Sequence, residues 1–180
     1  MQTLFQNFKL ELQILTMNER TFSWNLPSDA VQKLVSLDRQ QRIDFFAKLP
    51  MENVPIGALM DFSRISIDDN GQVSFYITPQ EFHYNPLGTV HGGLAATILD
   101  SCNSISANCQ LDRGFLTMTT DIRVNYLRPI TVLTDEVTAT ATIEKIGKKV
   151  IFVNGSLYDK NGKTYATASS TELVVEVPIN

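Results

Sequence analysis

From Asn85 to Asp100 the chain reads Asn-Pro-Leu-Gly-Thr-Val-His-Gly-Gly-Leu-Ala-Ala-Thr-Ile-Leu-Asp, a glycine-rich turn running into a helical pattern with a single acid. Gly92 and Gly93 open the backbone to close approach where the first N–H groups of a helix have no intrahelical acceptor. A helix start stabilises negative charge, so these groups can hold a developing oxyanion. Asp100 supplies a base or a nucleophile. An oxyanion site and a carboxylate are the minimum equipment for acyl transfer.

The pattern around Asp100 has almost no charge. From Pro86 through Leu111 there is no Lys, Arg or Glu, where a surface helix would carry several. Leu94, Ile98, Cys102, Ile105 and Cys109 form an apolar stripe at helical spacing, and Ala96, Thr97, Asp100, Asn103 and Ser104 form the opposite, small or polar side. The helix is expected to be buried on most sides, with one polar seam. A carboxylate on such a seam is a functional candidate, the alternative being a hydrogen-bonded structural acid.

Gly92 and Asp100 are eight residues apart, roughly 12 Å along a helix. A donor and a base acting on one carbonyl must both lie about 3 Å from the reacting atoms. One straight helix hardly does both, whereas two copies side by side and antiparallel bring Gly92 of one chain to Asp100 of another. The spacing therefore predicts a homodimer with the site at its interface, and pairing of dimers would give a homotetramer.

The elements that must position these residues follow from pattern. The chain has 180 residues, 43% of them apolar, which suits a single globular domain. A net charge of −4 and a pI near 5.1 argue against nucleic acid and anionic membrane as main partners. There is no apolar run long enough for a transmembrane helix, and no charged segment leading an apolar one at the start, so neither a membrane span nor a signal peptide is expected. Cys102 and Cys109 lie about 10 Å apart on one helix, too far for a disulfide. They read as buried thiols of a reducing, cytoplasmic protein. Residues 1–55 form an extension with two short helices, one over 29–37 after Ser28 and one capped by Asp38 through Lys48, before Pro50 and Pro55 break the chain. Residues 56–180 form the domain proper. Strands are expected over 59–67 and 73–77 around an Asn70-Gly71 turn, then the helix near 89–109, then strands over 116–126, 137–143, 150–158 and 165–175. In 116–126 the residues Leu116, Met118, Thr120, Ile122, Val124 and Tyr126 alternate with Thr117, Thr119, Asp121, Arg123 and Asn125, which predicts two clean faces. The order β-β-α-β-β-β-β implies an α+β fold, an antiparallel sheet curled round one long helix.

Asn85, Gly88, His91-Gly92-Gly93 and an acid nine residues after the histidine resemble the motif of hotdog-fold thioesterases of the phenylacetate-pathway (PaaI-like) branch. The likeness extends over about 55–175 and includes Asn125-Tyr126-Leu127-Arg128-Pro129 and the small residues of 165–171. It implies an acyl-CoA substrate, no cofactor and no metal. Asp100 would be the catalytic carboxylate, the Gly92 N–H would polarise the thioester carbonyl, and Asn85 would orient water or substrate. Ser104, one turn beyond Asp100, would help to hold that water, and Thr119 matches a small hydroxyl residue that contributes in some relatives. His91 and Gly93 would shape the turn at the substrate. Arg123, Arg128, Lys148 and Lys149 would meet the phosphates of coenzyme A at the pocket mouth. Two alternatives stay open at this point: a hydratase or dehydratase on the same fold, which pairs a histidine with an acid, and a non-catalytic acyl-CoA binder. His83 and His91 are the two histidines, too few for a metal hydrolase centre. No serine or cysteine triad signature is present.

Overall fold

The computed structural model describes residues 18–25 and 28–179. The expectation for residues 1–17 lies outside these. Helices α1 (Ala30–Ser36), α2 (Arg39–Ala47) and α3 (Pro55–Met60) precede strands β1 (Arg64–Ile67) and β2 (Val73–Ile77). The long helix α4 (Gly92–Asn108) follows, then β3 (Phe115–Tyr126), β4 (Val137–Ile146), β5 (Val150–Asp159) and β6 (Thr164–Glu176). The strands form one six-stranded sheet in the order β1-β2-β4-β5-β6-β3, antiparallel at every pairing. This is the expected α+β hotdog architecture, with β2 through β6 all packing on α4.

The strand expected from residue 59 starts five residues later. Pro55 begins a helix where a break was expected, because the first helical position needs no N–H donor. Asp61, in the left-handed conformation at φ 59°, ends α3 and turns the chain into β1. Beyond it the Asn70-Gly71 turn joins β1 to β2 as expected.

The core is the apolar stripe of α4 against the inward positions of the sheet. Leu94, Ile98 and Cys102 are buried with Val73, Phe75, Ile77, Val137, Ala139, Ile151, Val153 and Leu157. Cys102 is a buried free thiol, and its Sγ lies 3.4 Å from the Val73 carbonyl oxygen and 3.5 Å from that of Ala139. Gly155 on β5 lets the helix come close: a Cβ there would lie 2.7 Å from Asn103 Oδ1 and 3.0 Å from Leu99. Asn103, expected on the polar seam, is wholly buried at this contact. The close approach of helix and strand turns that side chain inward.

The N-terminal helices close the far end of α4. Asp38 and Gln41 form a reciprocal cap at the start of α2, as the Asp38 expectation required. Val35 of α1 is buried and its carbonyl accepts from the Gly114 N–H. Ile43 and Phe46 of α2 pack on Cys109, whose burial pushes its thiol up to about 12. Between them Arg42 is fully buried, and its guanidinium donates to the carbonyls of Leu37, Asn108, Asp112 and Phe115 at 2.7–3.5 Å. Three of these acceptors belong to the end of α4 and the turn into β3, where carbonyls have no intrahelical donor and a cation is favoured. Hydrogen bonds and apolar contacts thus cross residue 55.

Arg42→Met keeps the aliphatic stem but takes the donor from the Leu37, Asp112 and Phe115 carbonyls, while the Asn108 carbonyl keeps the Leu111 N–H. Charge-assisted bonds of this kind predict a loss of about 2–4 kcal/mol in urea unfolding; a change under about 1 kcal/mol would show that water or neighbours satisfy the carbonyls without Arg42.

Candidate active site

The start of α4 is built by the turn before it. The Asn85 side-chain oxygen accepts from the Leu87 and Thr89 N–H groups at 2.8 and 3.4 Å, and its amide donates to Thr89 Oγ1 at 3.1 Å. Asn85 is therefore bonded within its own turn. The Val90 N–H donates to the Ile130 carbonyl, and the His91 N–H to that of His83, which ties the turn to the sheet side and to the preceding loop. His91 caps the helix, its Nδ1 accepting from the Gly93 N–H at 2.9 Å. A ring nitrogen that accepts carries no proton, so His91 here shapes the helix start.

Gly92 is the first residue of α4, and its N–H makes no hydrogen bond among the described residues. Tyr126 from the end of β3 lies over it: the phenol donates to the Gly92 carbonyl at 3.2 Å, and a Cβ on Gly92 would stand 3.1 Å from the ring. Thr89, His91, Gly92, Ala95, Tyr126, Arg128, Ile130 and Tyr165 are among the residues lining a cleft of about 320 Å³ at this point. A free N–H at a helix start, facing an apolar cleft, can polarise a carbonyl.

Asp100 lies two turns along α4, half-buried, and does not line that cleft. Its Oδ1 accepts from Thr119 Oγ1 of β3 at 2.9 Å. The two clean faces expected for β3 do not occur. A β-bulge between Thr119 and Asp121 makes Thr120 the extra residue. Before it Thr117 and Thr119 point to α4, and after it Ile122 and Val124 pack on the core. The bulge thus brings the Thr119 hydroxyl to Asp100 and leaves Asp121, Arg123 and Asn125 exposed.

A second carboxylate stands behind Thr119. Glu172 of β6 is fully buried, and its carboxylate lies 3.2 and 3.4 Å from Thr119 Oγ1. Ser170 Oγ donates to it at 2.9 Å, and the Asn103 amide donates to Ser170 at 3.1 Å. Burial, and then the neighbouring charge of Asp100, push the Glu172 carboxyl above its usual range, against the pull of the Ser170 and Thr119 bonds. Sequence reading missed Glu172. The signal was there: Ala166, Ala168, Ser170, Glu172 and Val174 alternate along β6, and the apolar members mark that face as the inner one.

The remaining expected residues are scattered. Ser104, a turn beyond Asp100, makes no side-chain hydrogen bond among the described residues. Arg128 lines the cleft and donates to the Thr164 carbonyl at the start of β6. Lys148 and Lys149 sit at the β4–β5 turn, where the Lys149 carbonyl accepts from the Val174 N–H near the other end of β6. Ten residues of strand, roughly 33 Å, separate these ends. One protomer therefore does not gather Arg123, Arg128, Lys148 and Lys149 into one phosphate patch. Among the described residues no three His, Cys, Asp or Glu side chains converge as a metal-ligand set, and no helix is long and apolar enough to cross a membrane.

Comparison with known proteins bears on the fold and the family. Residues 87–166 match the family model of the thioesterase superfamily. Mouse acyl-coenzyme A thioesterase 13 is 36% identical over 94 residues, covering 52% of this chain and 66% of the mouse protein. The human protein of the same name is 32% identical over 103 residues, covering 57% of this chain and 72% of its own length. Among solved structures, the Escherichia coli PaaI protein from the phenylacetic acid degradation operon superimposes with a TM-score of 0.66 at 20% identity, over 78% of this chain and 99% of PaaI. His91, Gly92, Gly93, Asp100 and Thr119 fall inside the matched segment, on the helix and strand that carry the site. The chain belongs to the acyl-CoA thioesterases of the thioesterase superfamily, and has the hotdog fold.

Proposed function

We propose that the enzyme hydrolyses an acyl-CoA thioester to free acid and coenzyme A at a site shared by two protomers. The separation of the two chemical groups on α4 carries this reading. Gly92 opens on the cleft, and Asp100 lies eight residues on and outside it. Antiparallel pairing of two α4 helices supplies what one copy lacks. The twelve-residue strand β3 supports such pairing, since among the described residues it ends the sheet with no strand on its outer edge. Long edge strands are ordinarily covered. A homodimer, or a homotetramer built from it, covers this one.

In this mechanism the Gly92 N–H of one protomer holds the thioester carbonyl. Asp100 of the other takes a proton from water as the oxygen adds to the carbonyl carbon. The tetrahedral oxyanion stays on the Gly92 N–H; its collapse breaks the C–S bond, and Asp100 returns its proton to the departing sulfur, which leaves as the coenzyme A thiol. Thr119 fixes one Asp100 oxygen, which leaves the other for water. Val90, Ala95, Ile130 and Tyr165 give the cleft an apolar lining suited to an acyl or pantetheine chain, and Arg128 is the basic side chain beside it. Reduced thiols such as Cys102 and Cys109 suit the cytoplasm, where acyl-CoA esters are made and used.

Asp100→Asn retains shape and loses the base, so thiol release on the best acyl-CoA ester falls at least about a hundredfold, with melting temperature and molecular mass unchanged. Wild-type turnover in that variant would remove Asp100 from the chemistry. Hydrolysis in isotopically labelled water under single turnover puts the label in the acid product; label in Asp100 would make it the nucleophile. Gly92→Ala gains helix propensity but presses a methyl on the Tyr126 ring. The backbone N–H stays, so the effect comes from its displacement by that contact: kcat falls about tenfold or more, and unchanged kcat would show that the contact with Tyr126 does not set the donor's place.

A further inference from the structure

Thr119 has one hydroxyl hydrogen and two carboxylates within hydrogen-bond reach, Asp100 Oδ1 at 2.9 Å and Glu172 at 3.2 and 3.4 Å. It cannot donate to both. If both acids were ionised, one of the two Thr119 contacts would lack a hydrogen and two negative charges would face each other across a single oxygen. One proton on Glu172 resolves this. Ser170 donates to one Glu172 oxygen, the other donates to Thr119, and Thr119 passes its own hydrogen to Asp100, so every contact has one donor and one acceptor.

We propose that Glu172 is a positioning residue, held as the neutral acid, which aims the Thr119 hydroxyl at Asp100 and keeps the negative charge of the pair on Asp100. This rests on the reading of Asp100 as the base. The surroundings favour it. Glu172 has no exposed surface. Its cross-strand neighbours are Ile151 on β5 and Thr119 on β3, neither of them charged. The charged group that faces it is Asp100 from α4, of like sign. Burial and that neighbour both resist ionisation, and the Ser170 and Thr119 bonds do not reverse the shift. Glu172 lies outside the segment matched by the family model, so it is the fold of this chain that assigns the role.

Two variants test it. Glu172→Gln mimics the neutral acid, with an amide donor for Thr119 and an oxygen for Ser170. Glu172→Leu fills the volume and donates nothing. In steady-state thiol release, Glu172→Leu lowers kcat about tenfold with KM little changed, and Glu172→Gln recovers most of that loss. Equal loss in both would overturn the proposal. The second readout is independent of activity. A folded state that holds a proton its unfolded chain releases above pH of about 4.3 loses stability as pH rises. Glu172→Gln has no such term, so its melting temperature exceeds the wild type by a margin that widens from pH 4 towards 8. A margin that stays flat over that range means that Glu172 is ionised in the fold, and overturns the proposal. Full activity in Asp100→Asn beside a widening margin would place the failure in the assignment of the base, with Glu172 still the neutral acid.

Discussion

A helix wrapped by a sheet has no water on its buried faces, so each polar group it carries must find a partner in the protein or face a site. This constraint orders the whole molecule. Along α4 the Gly92 N–H meets the cleft, Asp100 meets Thr119, Asn103 meets Ser170 and Asn108 meets Thr117. The Asn103 oxygen is the one buried side-chain atom without a partner among the described residues. It faces Gly155, where the helix and β5 come closest. A close fit there was reached at the cost of one unsatisfied acceptor.

The same constraint explains why the two ends of α4 are treated differently. At its start the Gly93 donor is capped by His91 and the Gly92 donor is left without a partner among the described residues. At its end, the last carbonyl and those of the turn that follows are covered by a buried cation from α2. The N-terminal extension thereby completes the helix that carries the site. Arg42 does so at a point more than a dozen residues along the chain from the sheet it serves, and its bonds also hold the turn from which β3 departs. The position of Thr119 on β3 depends on that departure and on the bulge at Thr120.

Much of this was legible in the chain. The Asp38-capped helix, the Asn70-Gly71 hairpin, the long helix, and four strands after it follow from capping residues, turn residues and hydrophobic period, which are local properties read over a few residues; the first helix was expected too, but it starts after Asp29, with no side-chain cap, in place of Ser28. The His91-Gly92-Gly93 turn and Asp100 were legible for the same reason: a helix start and an isolated acid on an uncharged helix are local facts. The strand expected from residue 59 was misplaced because Leu59 and Met60 suit either a strand or a helix of one and a half turns, and Pro55 with left-handed Asp61 decides for the helix.

Tertiary structure decided everything that depends on which strand lies beside which. Glu172 sits far along the chain from Asp100, and only the pairing of β3 with β6 places Thr119 between them. The bulge shifts the alternation of β3 by one residue, which strict period-two reading cannot show, and so separates Thr119 from Arg123. Asn85 was read as a group for water or substrate, and the loop geometry spends its side chain within the turn. The burial of Arg42 under four carbonyls is likewise a matter of packing, set by the meeting of α2 with the end of α4 and the turn into β3. Local pattern reports which conformation a segment prefers and which face it hides; the partners of a buried polar group are set by chain-distant elements meeting in space, and no window of sequence contains both.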